Sequence, residues 1–189
     1  MIPAVDPITV SVVQHRLRAI VEEMGEAMLR TSYSQILNSS RDFSTALCDP
    51  EGRLIAQAEH VPIHVGALPF AAQAPCTSSS RAAIRPGDVY LLERSLPGWQ
   101  PSAGSHRVRP GLRRATAWLF WSINRSHQSD IGGATHGAYN ASATEIYQEG
   151  IRIPPLQALR AGQTARGRLR DDRAQRAPSP RFPWRSRRP

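Results

Sequence analysis

The apolar residues of the first thirty positions recur at intervals of three and four. These intervals place their side chains on one face of an α-helix. Asp6 and Pro7 supply a helix start, with a carboxylate at the N-cap and a proline at the first helical position. The pattern predicts an amphipathic helix that runs to about Arg30 and packs on the core through Val10, Val13, Leu17, Val21, Met24 and Met28.

Short strands and turns follow this helix. Residues 43–48 form a strand candidate, residues 49–52 carry turn residues, and residues 53–58 can return as the partner strand of a hairpin. Beyond them the pattern predicts a short apolar helix over 67–74 and a buried strand over 89–92. The expected fold class is therefore α+β, with an N-terminal amphipathic helix followed by short strands and hairpins.

Residues able to do chemistry concentrate between Ser126 and Pro155. His127 and Asp130 are three positions apart, which lets an imidazole and a carboxylate share one metal ion or one proton. Gly132 and Gly133 mark either a tight turn or a close backbone approach to an anion. The segment is thus a candidate site, or a solvated polar loop.

Two more histidines lie upstream, and Pro62 stands between them. Proline disfavours a helix, so we expect an extended segment that turns His60 and His64 to the same side, where they can share a ligand. Asp42 follows Arg41 at the entrance of the first strand. It is either an ion-pair partner or a site residue.

The positive charge is confined to two segments. The formal net charge is +9, no lysine occurs, and residues 93–114 and 157–189 together carry +12. Segments whose basic residues are all Arg, and which are rich in Pro, Ala, Gly and Ser, are typical of GC-rich DNA translated in a wrong frame. An Arg-rich nucleic-acid-binding arm is the alternative, but no recognition helix or RNA-binding motif accompanies it, so we expect no nucleic-acid partner.

Cysteine content and hydropathy favour a soluble cytoplasmic protein. Cys48 and Cys76 give neither a disulfide framework nor a zinc spacing. No apolar run reaches the roughly 18 residues of a spanning helix, and the first residues lack signal-peptide features. We therefore expect no membrane partner.

Residues 6–92 and 115–156 resemble the N-terminal part of the hydantoinase B/5-oxoprolinase family. The matching stretches follow one another in family order: DPITVSVVQHRLRAIVEEMGEAMLRTSYS, RDFSTALCDPEGRLIAQAEHVPIHVGALP, RPGDVYLL, HQSDIGG and TEIYQEGIRIPP. The family comprises the B-type subunit of ATP-dependent hydantoinases, and it is related to one half of 5-oxoprolinase and to a subunit of acetone and acetophenone carboxylases. The resemblance covers only the first part of a typical member, which implies an incomplete fragment of a larger fold.

The resemblance implies hydrolysis of a cyclic amide, such as a hydantoin or 5-oxoproline, coupled to ATP use. A hydantoinase A-type partner subunit would supply the nucleotide site, since no GxxxxGK[ST] motif occurs in this chain. A divalent metal ion of unknown identity would polarise a carbonyl or phosphoryl oxygen. An acetone or acetophenone carboxylase-type subunit is the alternative within the family, and a scaffold that binds the partner without catalysis is another.

The resemblance makes His127 and Asp130 the candidate metal ligands, and Gly132 and Gly133 candidate anion contacts. The family commonly has a second histidine where Gln128 stands. Asp130 can instead hold His127 in one tautomer.

Catalytic candidates come from three parts of the chain. Glu145 and Glu149 are four apart and form either a general acid/base pair or a salt-bridged surface. Arg152 either clamps a phosphate or carboxylate or forms a structural ion pair. The remaining pocket candidates are Asp42, His60 and His64.

One departure from the family pattern is central. After RPGDVYLL the family continues with a segment like NDPYxGGTHLPD, whose His and Asp are expected metal ligands in the carboxylase relatives, whereas this chain reads ERSLPGWQPSAGSHRVRPGLRR. If the DNA is read one base further along, each new codon takes two bases from one residue's codon and one base from the next. Under the genetic code, this shifted reading of residues 93–105 permits the sequence NDPYQGGSHLPD. The hypothesis is that residues 93–114 and 157–189 are frame-shifted translations.

Two domain-level expectations follow from this hypothesis. Residues 1–156 form the N-terminal part of the hydantoinase B/oxoprolinase domain, and residues 157–189 form a disordered Arg/Pro-rich tail. A sheet that ends after its first strands leaves edges and apolar faces uncovered. We therefore expect the 189-residue chain to be inactive and poorly folded on its own.

Overall fold

The computed structural model describes residues 5–58, 60–78, 83–93, 104–110, 113–114, 117–138 and 140–164. Its helices are α1 (Pro7–Thr31), α2 (Gln35–Asn38) and α3 (Leu68–Ser78), and a 3₁₀ helix (Pro62–Ala67) leads directly into α3. Two short 3₁₀ turns lie at His136–Ala138 and Ile146–Gln148. The strands are β1 (Phe43–Cys48), β2 (Leu54–Ala58), β3 (Val89–Glu93), β4 (Gly104–Pro110), β5 (Arg113–Arg114), β6 (Ala117–Trp118), β7 (Trp121–His127), β8 (Ile153–Arg160) and β9 (Gln163–Thr164).

Seven of these strands form one antiparallel sheet in the order β2–β1–β7–β4–β3–β8–β9. Strands β5 and β6 pair separately with each other. The start of β1 and the start of β4 both lie beside the end of β7, since Phe43 pairs with Ser126 and Gly104 pairs with His127. One end of the sheet therefore collects residues that are far apart in the sequence.

The two faces of the sheet carry different helices, because successive side chains of a strand point to opposite sides. On one face α1 packs through Val21 against Leu47 and Ala58, and the Thr45 hydroxyl donates a 2.6 Å hydrogen bond to the Val21 carbonyl. On the other face α3 packs through apolar residues that form the larger core cluster: Ala46, Cys48, Leu68, Ala71, Ala72, Ile84, Tyr90, Leu92, Trp121 and Ile123.

The sequence patterns locate the first elements well, and the α+β class is confirmed. Asp6 caps α1 by accepting a 3.1 Å hydrogen bond from the Thr9 amide. The hairpin β1–β2 also forms as predicted, with a register shift next to Cys48. The apolar stripe of α1 packs only in part: Val21 is fully buried, whereas Val10 and Val13 are 41% and 50% exposed.

A buried carboxylate ties the β8–β9 turn to the turn before β3. Asp88 is fully buried and accepts 2.8 Å hydrogen bonds from the backbone amides of Arg85 and Ala161. The Gly162 amide donates a further bond of 2.9 Å to the Gly87 carbonyl. This contact joins segments more than 70 residues apart.

The sheet extends into both segments for which a frame shift was proposed. Strand β4 lies between β7 and β3 and pairs with each of them. Residues 157–164, expected within a disordered tail, instead lie in β8, β9 and the turn between them, because β8 pairs with β3 along the edge that β3 leaves free. The tail prediction for 165–189, and the segment 94–103, lie outside the described residues.

No helix in the described ranges is both long enough and apolar enough to cross a membrane.

Candidate functional site

The sheet end where β1 begins and β7 finishes holds a buried polar cluster. Ser44 and Arg125 occupy directly opposed positions of β1 and β7, so both side chains lie on the face that carries the 3₁₀ helix and α3. Both residues are buried, as is His64 of the 3₁₀ helix. The apolar core of this face therefore ends in a set of polar side chains.

Asp42 contacts two histidines of this cluster. Its Oδ1 lies 3.3 Å from Nε2 of His64, and its Oδ2 lies 3.3 Å from Nδ1 of His127. His64 comes from the 3₁₀ helix and His127 is the last residue of β7. Three of the residues singled out in the sequence are thus in direct contact.

The outer nitrogen of each imidazole also has a protein partner. The Ser44 hydroxyl lies 3.0 Å from Nδ1 of His64, and the Gly137 carbonyl oxygen lies 3.2 Å from Nε2 of His127. Burial, followed by the positive charge of Arg125 and by His127, lowers the pKa of His64 to about 4. His64 is therefore neutral at neutral pH. The Ser44 hydroxyl has a single proton and lies 2.8 Å from the Phe43 carbonyl oxygen as well, so it donates either there or to Nδ1 of His64. Donation to Nδ1 is compatible with a proton on Nε2 that is donated to Asp42.

Two buried ionisable residues of the cluster were missed in the sequence. Arg125 is 2% exposed and Glu93, the last residue of β3, is 8% exposed. Burial raises the pKa of Glu93 to about 8, and the charge of Arg125 offsets part of that rise. Burial also lowers the pKa of Arg125, against the effect of Glu93 and Asp42. Alternation along β7 could have identified Arg125, because it shares the inward positions of Trp121 and Ile123.

His60 is separated from His64 by the sheet. Its imidazole packs on the Phe43 ring, with centroids 4.4 Å apart, and lies against Gly25 of α1. Burial lowers the pKa of His60. The expected extended segment is a 3₁₀ helix from Pro62 onward, so the two histidines contact successive residues of β1, which face opposite sides. The shared ligand expected for His60 and His64 is therefore wrong for this arrangement.

The loop between β7 and β8 holds the other predicted site residues. Asp130 is exposed, and its Oδ1 accepts a 2.9 Å hydrogen bond from the Gly132 amide. Gly132 has φ of 79°, and a side chain on Gly133 would meet the backbone of Glu149. The two glycines thus serve the fold of this loop, and their predicted role in anion binding stays a prediction.

The predicted acid, base and anion clamp lie on the same loop. Glu145 and Arg152 are exposed and Glu149 is half-buried. The Glu145 and Thr144 amides both donate to the side chain of Gln148, which fixes the 3₁₀ turn there. The structure does not bring these residues into the Asp42 cluster, so their catalytic roles stay predictions.

The side chains of the cluster do not fit a metal ion as they are arranged. Each ring nitrogen of His64 and His127 faces a protein group, and the Asp130 carboxylate turns toward its own loop. Within the described residues no group of three or more His, Cys, Asp or Glu side chains could hold a metal. The segment 94–103, for which the resemblance expects further ligands, lies between Glu93 and Gly104, outside the described part. Metal binding by His127 and Asp130 stays a prediction.

Known proteins resemble this chain in sequence over most of its length. The chain is 34% identical to caprolactamase subunit beta of Pseudomonas jessenii over 163 residues, which cover 84% of this chain and 27% of that protein. It is 30% identical to the 5-oxoprolinase PfmaA of Pestalotiopsis fici over 166 residues, which cover 88% of this chain and 13% of that protein. The chain thus spans between an eighth and about a quarter of the length of these relatives.

Solved structures show the same fold. The crystal structure of ATP-dependent caprolactamase from Pseudomonas jessenii matches with a TM-score of 0.73 at 32% identity, covering 88% of this chain and 28% of that one. A nucleotide-free structure of acetone carboxylase matches with a TM-score of 0.76 at 20% identity, covering 88% and 22%; at that identity the likeness concerns the fold alone. The hydantoinase B/oxoprolinase family model matches residues 6–183, and the chain therefore belongs to this family.

Proposed function

We propose that this chain is the N-terminal part of a subunit that hydrolyses a cyclic amide with the use of ATP. The observation that carries the proposal is the buried contact of Asp42 with two imidazoles, in a chain whose 34% identical relative is a caprolactamase subunit. The names caprolactamase and 5-oxoprolinase both denote enzymes that act on a lactam. The substrate class proposed is accordingly a small cyclic amide.

Ring opening of an amide needs a proton on the leaving nitrogen and activation of the attacking water. His127 is the proposed catalytic group, because its Nε2 faces the β7–β8 loop and not the core. This nitrogen must leave the Gly137 carbonyl before it can exchange a proton with substrate. Asp42 would then stabilise the imidazolium by its negative charge, as carboxylates do in hydrolytic triads.

The partner and cofactors belong to the same proposal. A hydantoinase A-type subunit would bind ATP, which agrees with the name of the relative as one subunit of an ATP-dependent enzyme. A divalent metal ion and a cytoplasmic location stay predictions. A metal ion on Nε2 of His127 and the proton transfer proposed for that nitrogen exclude each other, since Nδ1 contacts Asp42. The acetone carboxylase-type alternative rests on a likeness of fold at 20% identity, so the lactam-hydrolysing relatives carry more weight.

A chimera tests the proposal in an assembled enzyme. Residues 6–92 and 117–156 replace the aligned segments of caprolactamase subunit beta, and the other caprolactamase subunits are co-expressed. We expect ATP-dependent ring opening of caprolactam or 5-oxoproline, detected by chromatography together with phosphate release. His127→Gln should lower kcat by about 10²- to 10⁴-fold, whereas His15→Gln on the exposed side of α1 should not.

Two results would contradict the proposal. One is an assembled chimera that opens lactams at the same rate with and without His127→Gln. The other is ATP-dependent transfer of labelled bicarbonate to acetone without lactam hydrolysis, which would favour the carboxylase alternative. The 189-residue chain alone should show neither activity.

A further inference from the structure

We propose that Asp42 is the positioning residue of this site: one carboxylate fixes the ring orientation and the proton placement of both His64 and His127. The inference concerns the two imidazoles themselves, and it rests on the proposed function only for the reaction that they serve. It rests on three observations, which are the anchored backbone of Asp42, the separate use of its two oxygens, and the partners on the far side of each ring.

The backbone of Asp42 is fixed before its side chain makes any contact. The Asp42 amide donates to the Ile36 carbonyl at 3.3 Å, and the His127 amide donates to the Asp42 carbonyl at 3.0 Å. The preceding residue, Arg41, has φ of 50°, a conformation that non-glycine residues rarely adopt. Neighbouring structure therefore determines this conformation, and the carboxylate enters the cluster from a fixed position.

The two carboxylate oxygens serve different rings. Oδ1 faces His64 and Oδ2 faces His127, and an ionised carboxylate only accepts hydrogen bonds. Nε2 of His64 and Nδ1 of His127 must therefore carry protons for both bonds to form. Nε2 of His127 faces the Gly137 carbonyl oxygen, which also only accepts, so that contact is a hydrogen bond only when Nε2 carries a proton as well. A ring flip of either imidazole would break two contacts at once, because the opposite nitrogens face Ser44 and the Gly137 carbonyl.

A purely charge-balancing role for Asp42 makes a different prediction. The negative charges of Glu93 and Asp42 lie near enough to Arg125 to raise the pKa of its guanidinium, against the effect of burial. If Asp42 only offset this cation, a neutral replacement would lower stability and leave the proton placement of both rings unchanged. Asparagine distinguishes the roles, because its side chain offers one acceptor and one donor.

The experiment uses the chimeric caprolactamase subunit described above, labelled with ¹⁵N-histidine, because the 189-residue chain is expected to fold poorly on its own. Long-range ¹H–¹⁵N spectra assign the protonated nitrogen of each ring, and the His64→Gln and His127→Gln chimeras identify the signals of the two histidines. In the wild type we expect a proton on Nε2 of His64 and, because both partners of His127 are acceptors, on both nitrogens of His127. With Asp42→Asn, the amide nitrogen donates to one ring, so the ring nitrogen facing it must lose its proton. The spectrum should show this change for one of the two histidines.

Matched variants separate positioning from general destabilisation. Asp49→Asn is the control, because the Asp49 side chain is 16% exposed against 20% for Asp42 and lies at the far end of β1; it should leave both histidine patterns unchanged. Ser44→Ala should alter the Nδ1 signal of His64 and leave His127 as it was.

The wild-type spectrum alone can overturn the proposal. A His64 protonated on Nδ1 only, or signals of His64 and His127 that match those of an unfolded peptide in a folded chimeric subunit, would show that the cluster does not exist as described. Retention of both wild-type patterns in a folded Asp42→Asn chain would also overturn it, and would leave Asp42 with the charge-balancing role.

Discussion

Glu93 ends β3 as a carboxyl group that water hardly reaches. Its Oε2 is buried without a hydrogen-bond partner, and the nearby Arg125 only partly offsets the cost of ionising it. A carboxyl group of this kind binds its proton more tightly in the folded chain than in the unfolded chain. Its ionisation therefore opposes folding as the pH rises.

The pH dependence of this effect can be measured with Glu93→Gln. The pKa of Glu93 is about 8 in the fold against an ordinary value of 4.5, so ionisation of Glu93 lowers the stability of the fold progressively as the pH rises from about 4.5 to 8. Relative to the wild type, the variant should gain on the order of a few kcal/mol at pH 8, and the gain should shrink toward pH 4.5. Urea unfolding followed by tryptophan fluorescence checks this, with Glu23→Gln on α1 as the control. A gain independent of pH would contradict the assignment to Glu93.

Single residues of the site were predictable, but their association was not. Asp42, His64 and His127 stand out as chemically capable residues in polar segments of the sequence. Their contact depends on the pairing of β1 with β7 and on the 3₁₀ helix after Pro62. The strand pairing is a long-range contact and the 3₁₀ helix is a local backbone geometry. The spacing of residues along the sequence encodes neither of them. His60 illustrates the failure, because the expected extended backbone assigned it to the wrong face of the sheet.

At the scale of elements, α1 is longer than the strands on which it lies. A helix of 25 residues spans about 37 Å, whereas the six residues of β1 span about 20 Å. The apolar stripe therefore continues past the sheet, and Val10 and Val13 are exposed although they share it with Val21. Periodicity reveals which face of a helix is apolar, but not how much of that face finds a partner.

Two matched substitutions test this difference. Val21→Ala should lower the free energy of unfolding by about 1.5 to 3 kcal/mol, because the side chain is fully buried and leaves a cavity. Val13→Ala should change it by less than about 0.5 kcal/mol, since half of that residue is already exposed. Urea midpoints with unchanged slopes measure both values. Equal losses would mean that the exposed half of α1 is covered in solution.

At the scale of the whole molecule, the two arginine-rich segments are also segments into which the sheet extends. The family match spans residues 6–183, which include all of the first segment proposed to be frame-shifted and residues 157–183 of the second. The connection from Glu93 to Gly104 starts and ends at the edge of the site, since Gly104 pairs with His127. A segment reading NDPYQGGSHLPD there would bring a histidine and an aspartate to the same end of the sheet.

The nucleotide sequence tests the frame hypothesis. We expect the DNA across codons 92–115 to spell the family segment when read one base further along. The reading frame should return near Ala115, and the second shift should begin near codon 157 and extend to the end. Sequencing of the gene from its source checks this. A shifted frame that spells any other sequence over 93–105 would end the hypothesis and leave the arginines as native residues.

Asp88 has a further consequence for how the chain tolerates change. Its carboxylate accepts a hydrogen bond from the main-chain amide of Ala161 in the β8–β9 turn, not from a side chain. The neighbouring Gly162 amide donates to the Gly87 carbonyl. Both hydrogen bonds come from main-chain amides, so they do not depend directly on which side chains the turn carries. The backbone sets the exceptions. Proline at position 161 has no N–H to donate, and Ala161 with φ of 48° and Gly162 with φ of 82° lie in the left-handed region, which favours glycine and disfavours β-branched residues. Substitutions in the β8–β9 turn that respect these two backbone conformations should therefore leave the strand pairing around it intact.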